Sequence, residues 1–140
     1  MAVICAIETG AGNAELVERF GDYPSMTLSF LQPHLEGATF SVVSPATGER
    51  LPDAGAFDGY VILGSRHGVY DPLPWIEPLK HLIRHAADRR IPMVGICFGH
   101  QIMADFGLNL PGARQINLIG VRESILDLLW AYQAGIGLGL

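Results

Sequence analysis

The chain is short of charge, of cysteine and of long apolar runs, and each shortage removes a class of function. No stretch reaches the roughly 18 consecutive apolar residues that a membrane-crossing helix needs. The opening Met1-Ala2-Val3-Ile4-Cys5 lacks the basic residues that precede the apolar core of a secretion signal. The expectation is a cytoplasmic protein without a membrane partner. Nine lysines and arginines against fourteen acidic residues leave a net charge of −5, and apart from Arg89-Arg90 the basic residues are scattered. No stripe exists that would neutralise a phosphate backbone, so nucleic acid is not an expected partner. The two cysteines, Cys5 and Cys97, stand in different apolar runs with no CxxC spacing and no His/Cys cluster beside them. That pattern predicts neither a zinc site nor a disulfide framework, and no cofactor is expected. Cysteine is then present for packing or for reactivity.

What is there is apolar. With 49% apolar and 16% charged residues over 140 positions, the composition is that of one compact domain with a core, and disorder is excluded. Residues 2–7 form a continuously apolar, Val- and Ile-containing run, which is how a strand buried on both faces of a parallel sheet reads. Residues 14–20 and 25–31 have helical apolar spacing, cut into short pieces by a turn over 21–24 and by Pro33. Residues 38–43, closed by Ser44-Pro45, predict the second strand, and 47–56 a surface loop. Residues 60–63 form the third strand, after which Gly64 opens a polar loop over 65–72. Pro74 fits the first turn of a helix over 75–89, in which Trp75, Leu79, Leu82, Ile83 and Ala86 recur on one face. A fourth strand over 92–96 runs almost without a loop into a helix over 98–106. This alternation implies parallel strands joined by right-handed crossovers, an α/β fold with a mostly parallel sheet flanked by helices in three layers. The expected nucleophile-bearing domain is 1–106. Beyond it, 107–140 is a divergent segment of unknown role, with one amphipathic helix over 121–132 and a glycine-rich end.

The junction of the fourth strand and its helix carries the chemistry. In Gly95-Ile96-Cys97-Phe98-Gly99-His100-Gln101 a residue at the tip of a tight strand-to-helix turn is forced into a strained conformation with its side chain exposed, and small flanking residues relieve the crowding. The helix beginning at Phe98 points its amino end at the sulfur, a position that favours an anion. The same turn leaves the Phe98 backbone N–H available to an oxyanion formed when sulfur attacks a carbonyl carbon. A second donor is expected from Gly64 or Ser65, at the end of the neighbouring strand. Taken alone, Gly-x-Cys-x-Gly fits a reactive elbow no better than the bland alternative, in which Gly64 merely turns the chain and Cys97 is one of the many buried, inert cysteines.

The longer string settles on one family. Residues 95–101, with Pro92-Met93-Val94 before them and Gly59-Tyr60-Val61-Ile62-Leu63-Gly64-Ser65 one helix earlier, resemble the class I, triad-type glutamine amidotransferases. The likeness is greatest to stand-alone members related to the amidotransferase part of GMP synthase or to γ-glutamyl peptide hydrolases, and it covers roughly residues 2–104. The resemblance implies a flavodoxin-like fold and a small-molecule substrate, glutamine or a γ-glutamyl compound. It implies Cys97 as nucleophile attacking the side-chain amide, with loss of ammonia and hydrolysis of a γ-glutamyl thioester. Phe98 and either Ser65 or Gly64 would then donate to the oxyanion, and Gln101, Gly64 and Ser65 would contact the substrate.

One part of the pattern is missing. Thiolate chemistry of this kind uses a histidine oriented by a carboxylate, which the family supplies from a His-x-Glu pair far downstream. The sole histidine after Cys97 is His100, and the Gly-Gly that usually closes the elbow helix is absent after Asp105. His100 and His67 are the candidate substitute bases; His34, His81 and His85 read as surface groups. Arg66, Tyr70 and Asp71 are candidates for the substrate mouth. The simplest expectation is a truncated or frame-shifted copy. Three readings stay open: an impaired amidotransferase, a pseudoenzyme or subunit completed by an unknown partner chain, and a non-catalytic redox-reactive cysteine protein.

Overall fold

The computed structural model describes residues 1–107, so the helix expected over 121–132 and the glycine-rich end lie outside the described residues. Four strands form one sheet: β1 (Val3–Ile7), β2 (Thr39–Val43), β3 (Gly59–Ile62) and β4 (Met93–Gly95). Their order is β2-β1-β3-β4 and every pairing is parallel, with Ile4 opposite Gly59 and Ile62 opposite Gly95. Four helices connect and follow them: α1 (Ala14–Phe20), α2 (Tyr23–Leu31), α3 (Ile76–Asp88) and α4 (Phe98–Gly107). The expected α/β architecture, a parallel sheet flanked by helices, is what the chain adopts.

The alternation of side chains along a strand divides the core in two. Cys5, Ile7, Tyr60, Ile62 and Met93 face α3 and α4, where they meet Trp75, Leu79, Leu82, Ile83, Ala86, Phe98 and Ile102. Ala6, Val61 and Leu63 face the other side, packed against Leu31 of α2 and Ile4. The face of α3 expected from its spacing is the buried one: all four of its apolar positions and the capping Trp75 are inside. Leu79, Leu82 and Ile83 each contribute roughly 1.5–3 kcal/mol by leaving water. This makes the α3/α4 face the stable side on which the elbow is built.

Two local features differ from the sequence reading. The turn expected over 21–24 is shorter, because α2 begins at Tyr23. Asp22 caps it, accepting from the Ser25 N–H at 2.8 Å, and Pro24 sits in the first turn, where its missing N–H is no loss. The expected surface loop over 47–56 is entered through one 3₁₀ turn, Pro45–Thr47, and contains another, Ala54–Ala56. Ala54 is buried there, because the Tyr60 hydroxyl reaches the carbonyls of Ala54 (2.9 Å) and Asp53 (3.1 Å) and draws this loop onto the sheet.

Candidate active site

The elbow is a consequence of crowding. Cys97 has φ = 53°, one of two non-glycine residues with positive φ among the described residues, a conformation that costs on the order of 1–3 kcal/mol and persists only where its surroundings impose it. The imposing contacts are visible. The Ile96 N–H donates to the Ile62 carbonyl (2.9 Å), the Gly99 N–H to the Ile96 carbonyl and the Gln101 N–H to the Cys97 carbonyl (3.0 Å each). A Cβ at Gly95 would lie 2.5 Å from the backbone of Gly99 and His100, and one at Gly99 would overlap the Ile62 carbonyl. Both glycines of the motif are thus steric requirements. Phe98 and Ile102 are fully buried, and the Phe98 ring meets Trp75 edge-on at 5.6 Å. That anchors α4, while Cys97 itself is exposed. Phe98, the first residue of α4, has no earlier turn of the helix to take its N–H.

The facing wall is the end of β3. A Cβ on Gly64 would stand 3.6 Å from the Cβ of Cys97, so the two residues lie side by side across the strand ends. The Gly64 peptide is held from below. Thr9, fully buried just past β1, has its hydroxyl 2.9 Å from the Leu63 carbonyl and 3.1 Å from the Gly64 carbonyl. The loop beyond is shaped by its own side chains. Ser65 Oγ accepts from the His67 N–H (3.1 Å), and Asp71 accepts from the Gly68 N–H (2.9 Å). Between the walls opens a cleft of about 320 Å³, lined by Tyr23, Thr27, Leu63, Gly64, Ser65, Arg66, Ile96 and Cys97.

The structure therefore brings together Cys97, Gly64, Ser65 and the backbone of Phe98, with Arg66 beside them. Gln101 is exposed one turn into α4 and is not among the cleft-lining residues. Nor are the two candidate bases. His100 is exposed on α4, and His67 stands 3.8 Å from Asp71 with its ring edge-on to Trp75 at 6.0 Å. His34, His81 and His85 are exposed, as expected. Tyr70 projects into solvent, and Asp71 serves its own loop. The sequence reading missed Thr9, Tyr23 and Thr27. Tyr23 was obscured by the misplaced start of α2, Thr27 lay in an expected helix that no local signal ties to the elbow, and nothing local marks Thr9 as a partner of Gly64. The other cysteine is of a different kind: burial, and then the Glu49 carboxylate, push the Cys5 thiol up to about 12. Among the described residues no group of three His, Cys, Asp or Glu side chains is placed to hold a metal ion, and no helix is long and apolar enough to cross a membrane.

The family model described as glutamine amidotransferase class-I matches residues 35–127. The chain belongs to the class I glutamine amidotransferase family. Over 87 residues it is 34% identical to γ-glutamyl peptidase 4 of Arabidopsis thaliana, covering 61% of this chain and 34% of that protein. Over 102 residues it is 29% identical to a glutamine amidotransferase-like protein of Schizosaccharomyces pombe, covering 64% of this chain and 41% of the other. Among solved structures, a glutamine amidotransferase from Methylobacillus flagellatus superposes with a TM-score of 0.52 at 25% identity, over 75% of this chain and 37% of that one. A glutamine amidotransferase from Thermotoga maritima superposes with a TM-score of 0.57 at 24% identity, a likeness of fold, over 75% of this chain and 42% of that one. This amidotransferase-family chain thus spans about a third to two fifths of the length of the relatives it matches.

Proposed function

We propose that the cleft binds glutamine or a γ-glutamyl compound and that Cys97 is the nucleophile that attacks its side-chain amide. The observation that carries this reading is the exposed Cys97 held at positive φ beside Gly64. In that geometry the sulfur attacks the amide carbon, the carbonyl π electrons move onto oxygen, and the oxyanion receives the Phe98 N–H and an N–H of Gly64 or Ser65. Collapse of the adduct breaks the carbon–nitrogen bond. Nitrogen leaves as ammonia after taking a proton, and water then cleaves the γ-glutamyl thioester to return the thiol.

The proton to the nitrogen and the activation of water both require a positioned acid–base group, typically worth about 10² to 10⁴ in rate. The five histidines are His34, His67, His81, His85 and His100, and none lines the cleft. The 140-residue polypeptide alone is therefore proposed to accept an electrophile at Cys97 but to turn glutamine over slowly. The same absence favours a second reading, in which another polypeptide brings the imidazole.

Steady-state ammonia release from purified protein, against a Cys97→Ala control, tests both statements. The expected result is a rate near background, together with covalent labelling of Cys97 by a glutamine-analogue chloroketone. Release at ~1 s⁻¹ or more, lost in Cys97→Ala, overturns the proposed impairment. Reversible oxidation of Cys97 with no labelling by the chloroketone overturns the amidase reading in favour of a redox cysteine.

A further inference from the structure

We propose that Arg66 determines substrate specificity by holding the α-carboxylate of the glutamine or γ-glutamyl substrate, an inference that rests on the function proposed above. The cleft beside Cys97 is lined by two hydroxyl-bearing side chains from α2, Tyr23 and Thr27, by apolar Leu63 and Ile96, and by Gly64, Ser65 and Arg66. It contains one formal charge, and that charge is positive. No lining residue is acidic, so a carboxylate entering the cleft meets an opposite charge and no competitor. The guanidinium is also uncommitted. Among the described residues Lys80 is paired with Glu77 and Asp105, and Arg89 with Asp53, while Arg66 has no carboxylate partner.

The backbone under Arg66 is fixed on both sides. Thr9 is within hydrogen-bonding distance of the Gly64 carbonyl ahead of it, and Ser65 Oγ accepts from the His67 N–H behind it. An exposed arginine on such an anchored loop keeps its reach toward the cleft. Its planar fork matches a carboxylate through two parallel hydrogen bonds, which a lysine cannot reproduce. A γ-glutamyl unit joins its reacting carbonyl to its α-carboxylate by a short methylene chain. The carbonyl sits at Cys97 and Gly64, and the carboxylate reaches Arg66.

The test compares two chloroketones with the same reactive group on the 140-residue chain: the glutamine analogue, and its counterpart lacking the α-carboxylate. In both, Cys97 sulfur displaces chloride, and the second-order labelling rate is read by intact mass and peptide mapping. In the parent protein the carboxylated reagent should label Cys97 faster by about 10- to 100-fold, the range of a charge-assisted hydrogen-bonded pair. Arg66→Met should bring that ratio close to one by slowing the carboxylated reagent far more than the uncharged one, and Arg66→Lys should fall between. A ratio preserved in Arg66→Met overturns the assignment, as does an equal loss with both reagents, which points to damage to the loop. No preference for the carboxylated reagent in the parent protein overturns the functional reading, and the role of Arg66 with it.

Discussion

The hydroxyl of Thr9, at the end of β1, lies 3.1 Å from the carbonyl oxygen of Gly64, at the end of β3, and 2.9 Å from that of Leu63. In a trans peptide the carbonyl and the following N–H point in opposite directions. Fixing the Gly64 carbonyl therefore fixes the Ser65 N–H, one of the two candidate oxyanion donors on this wall. Replacing Thr9 by the isosteric valine leaves these carbonyls without a donor, at a cost of about 1–3 kcal/mol. Urea denaturation should show that loss in Thr9→Val and little of it in Thr9→Ser. Equal stability of all three proteins would show that the hydroxyl does not support the loop.

The glycines around Cys97 are predicted to differ in kind. A methyl group at Gly99 overlaps the Ile62 carbonyl, a backbone atom of the central sheet that cannot yield, whereas one at Gly64 makes only ordinary contact at 3.6 Å with the Cys97 Cβ. Gly99→Ala should lower stability by roughly 1–3 kcal/mol or more or prevent folding. Gly64→Ala should fold with little loss but slow alkylation of Cys97, since the added methyl stands beside the thiol. Thermal melts and iodoacetamide kinetics separate the two effects. A Gly99→Ala protein as stable as the parent contradicts the steric account.

The two thiols should react in a set order. Cys97 is exposed, and Cys5 is buried, with its ionisation pushed up from 9.0 to about 12. Limited iodoacetamide followed by peptide mapping should find Cys97 modified first. The same burial has a pH consequence. Tyr60 is likewise raised from 10.0 to about 12, chiefly by desolvation. The unfolded chain therefore ionises both groups before the folded one does. Their contribution to stability is complete below pH 9, declines from there and is exhausted above about 12. Denaturation midpoints measured from pH 8 upward should fall monotonically, and a midpoint that rises over that range contradicts the burial of both groups.

Neither candidate histidine should matter to whatever ammonia release the chain retains. His67 is engaged with Asp71 and Trp75, and His100 faces solvent on α4. His67→Asn and His100→Asn should each keep the residual rate within about threefold of the parent. A drop of the 10²-fold order expected for loss of a general base in either variant identifies that residue as the base.

Local signals were enough for the elements and for the shape of the elbow. The 3.6-residue spacing of Trp75, Leu79, Leu82, Ile83 and Ala86 marked the buried face of α3, and Gly95-x-Cys97-x-Gly99 marked the tip of the turn. In each case the signal lies within a few residues along the chain, although the contacts behind it, such as that of Gly99 with the Ile62 carbonyl, are with distant residues. The start of α2 was also written locally, in Asp22 followed by Ser25 with Pro24 between them, but the proline read as a breaker. A proline stops a helix only when an earlier turn needs its N–H, and at Pro24 there is no earlier turn.

The composition of the cleft was decided elsewhere. Gly64 reaches Cys97 because β3 and β4 pair with Ile62 opposite Gly95, and Thr9 reaches Gly64 because β1 and β3 pair with Ile7 opposite Ile62. Tyr23 and Thr27 border the thiol from α2, a helix distant in sequence from the elbow. Such contacts leave no periodicity in the chain. The sequence by itself determined which residue would be strained and exposed, since the small residues that permit the turn flank it directly in the chain. Only the sheet register decided which side chains would surround that residue, because register is set by the burial of whole strands against α3 and α4 and is a property of the assembled core.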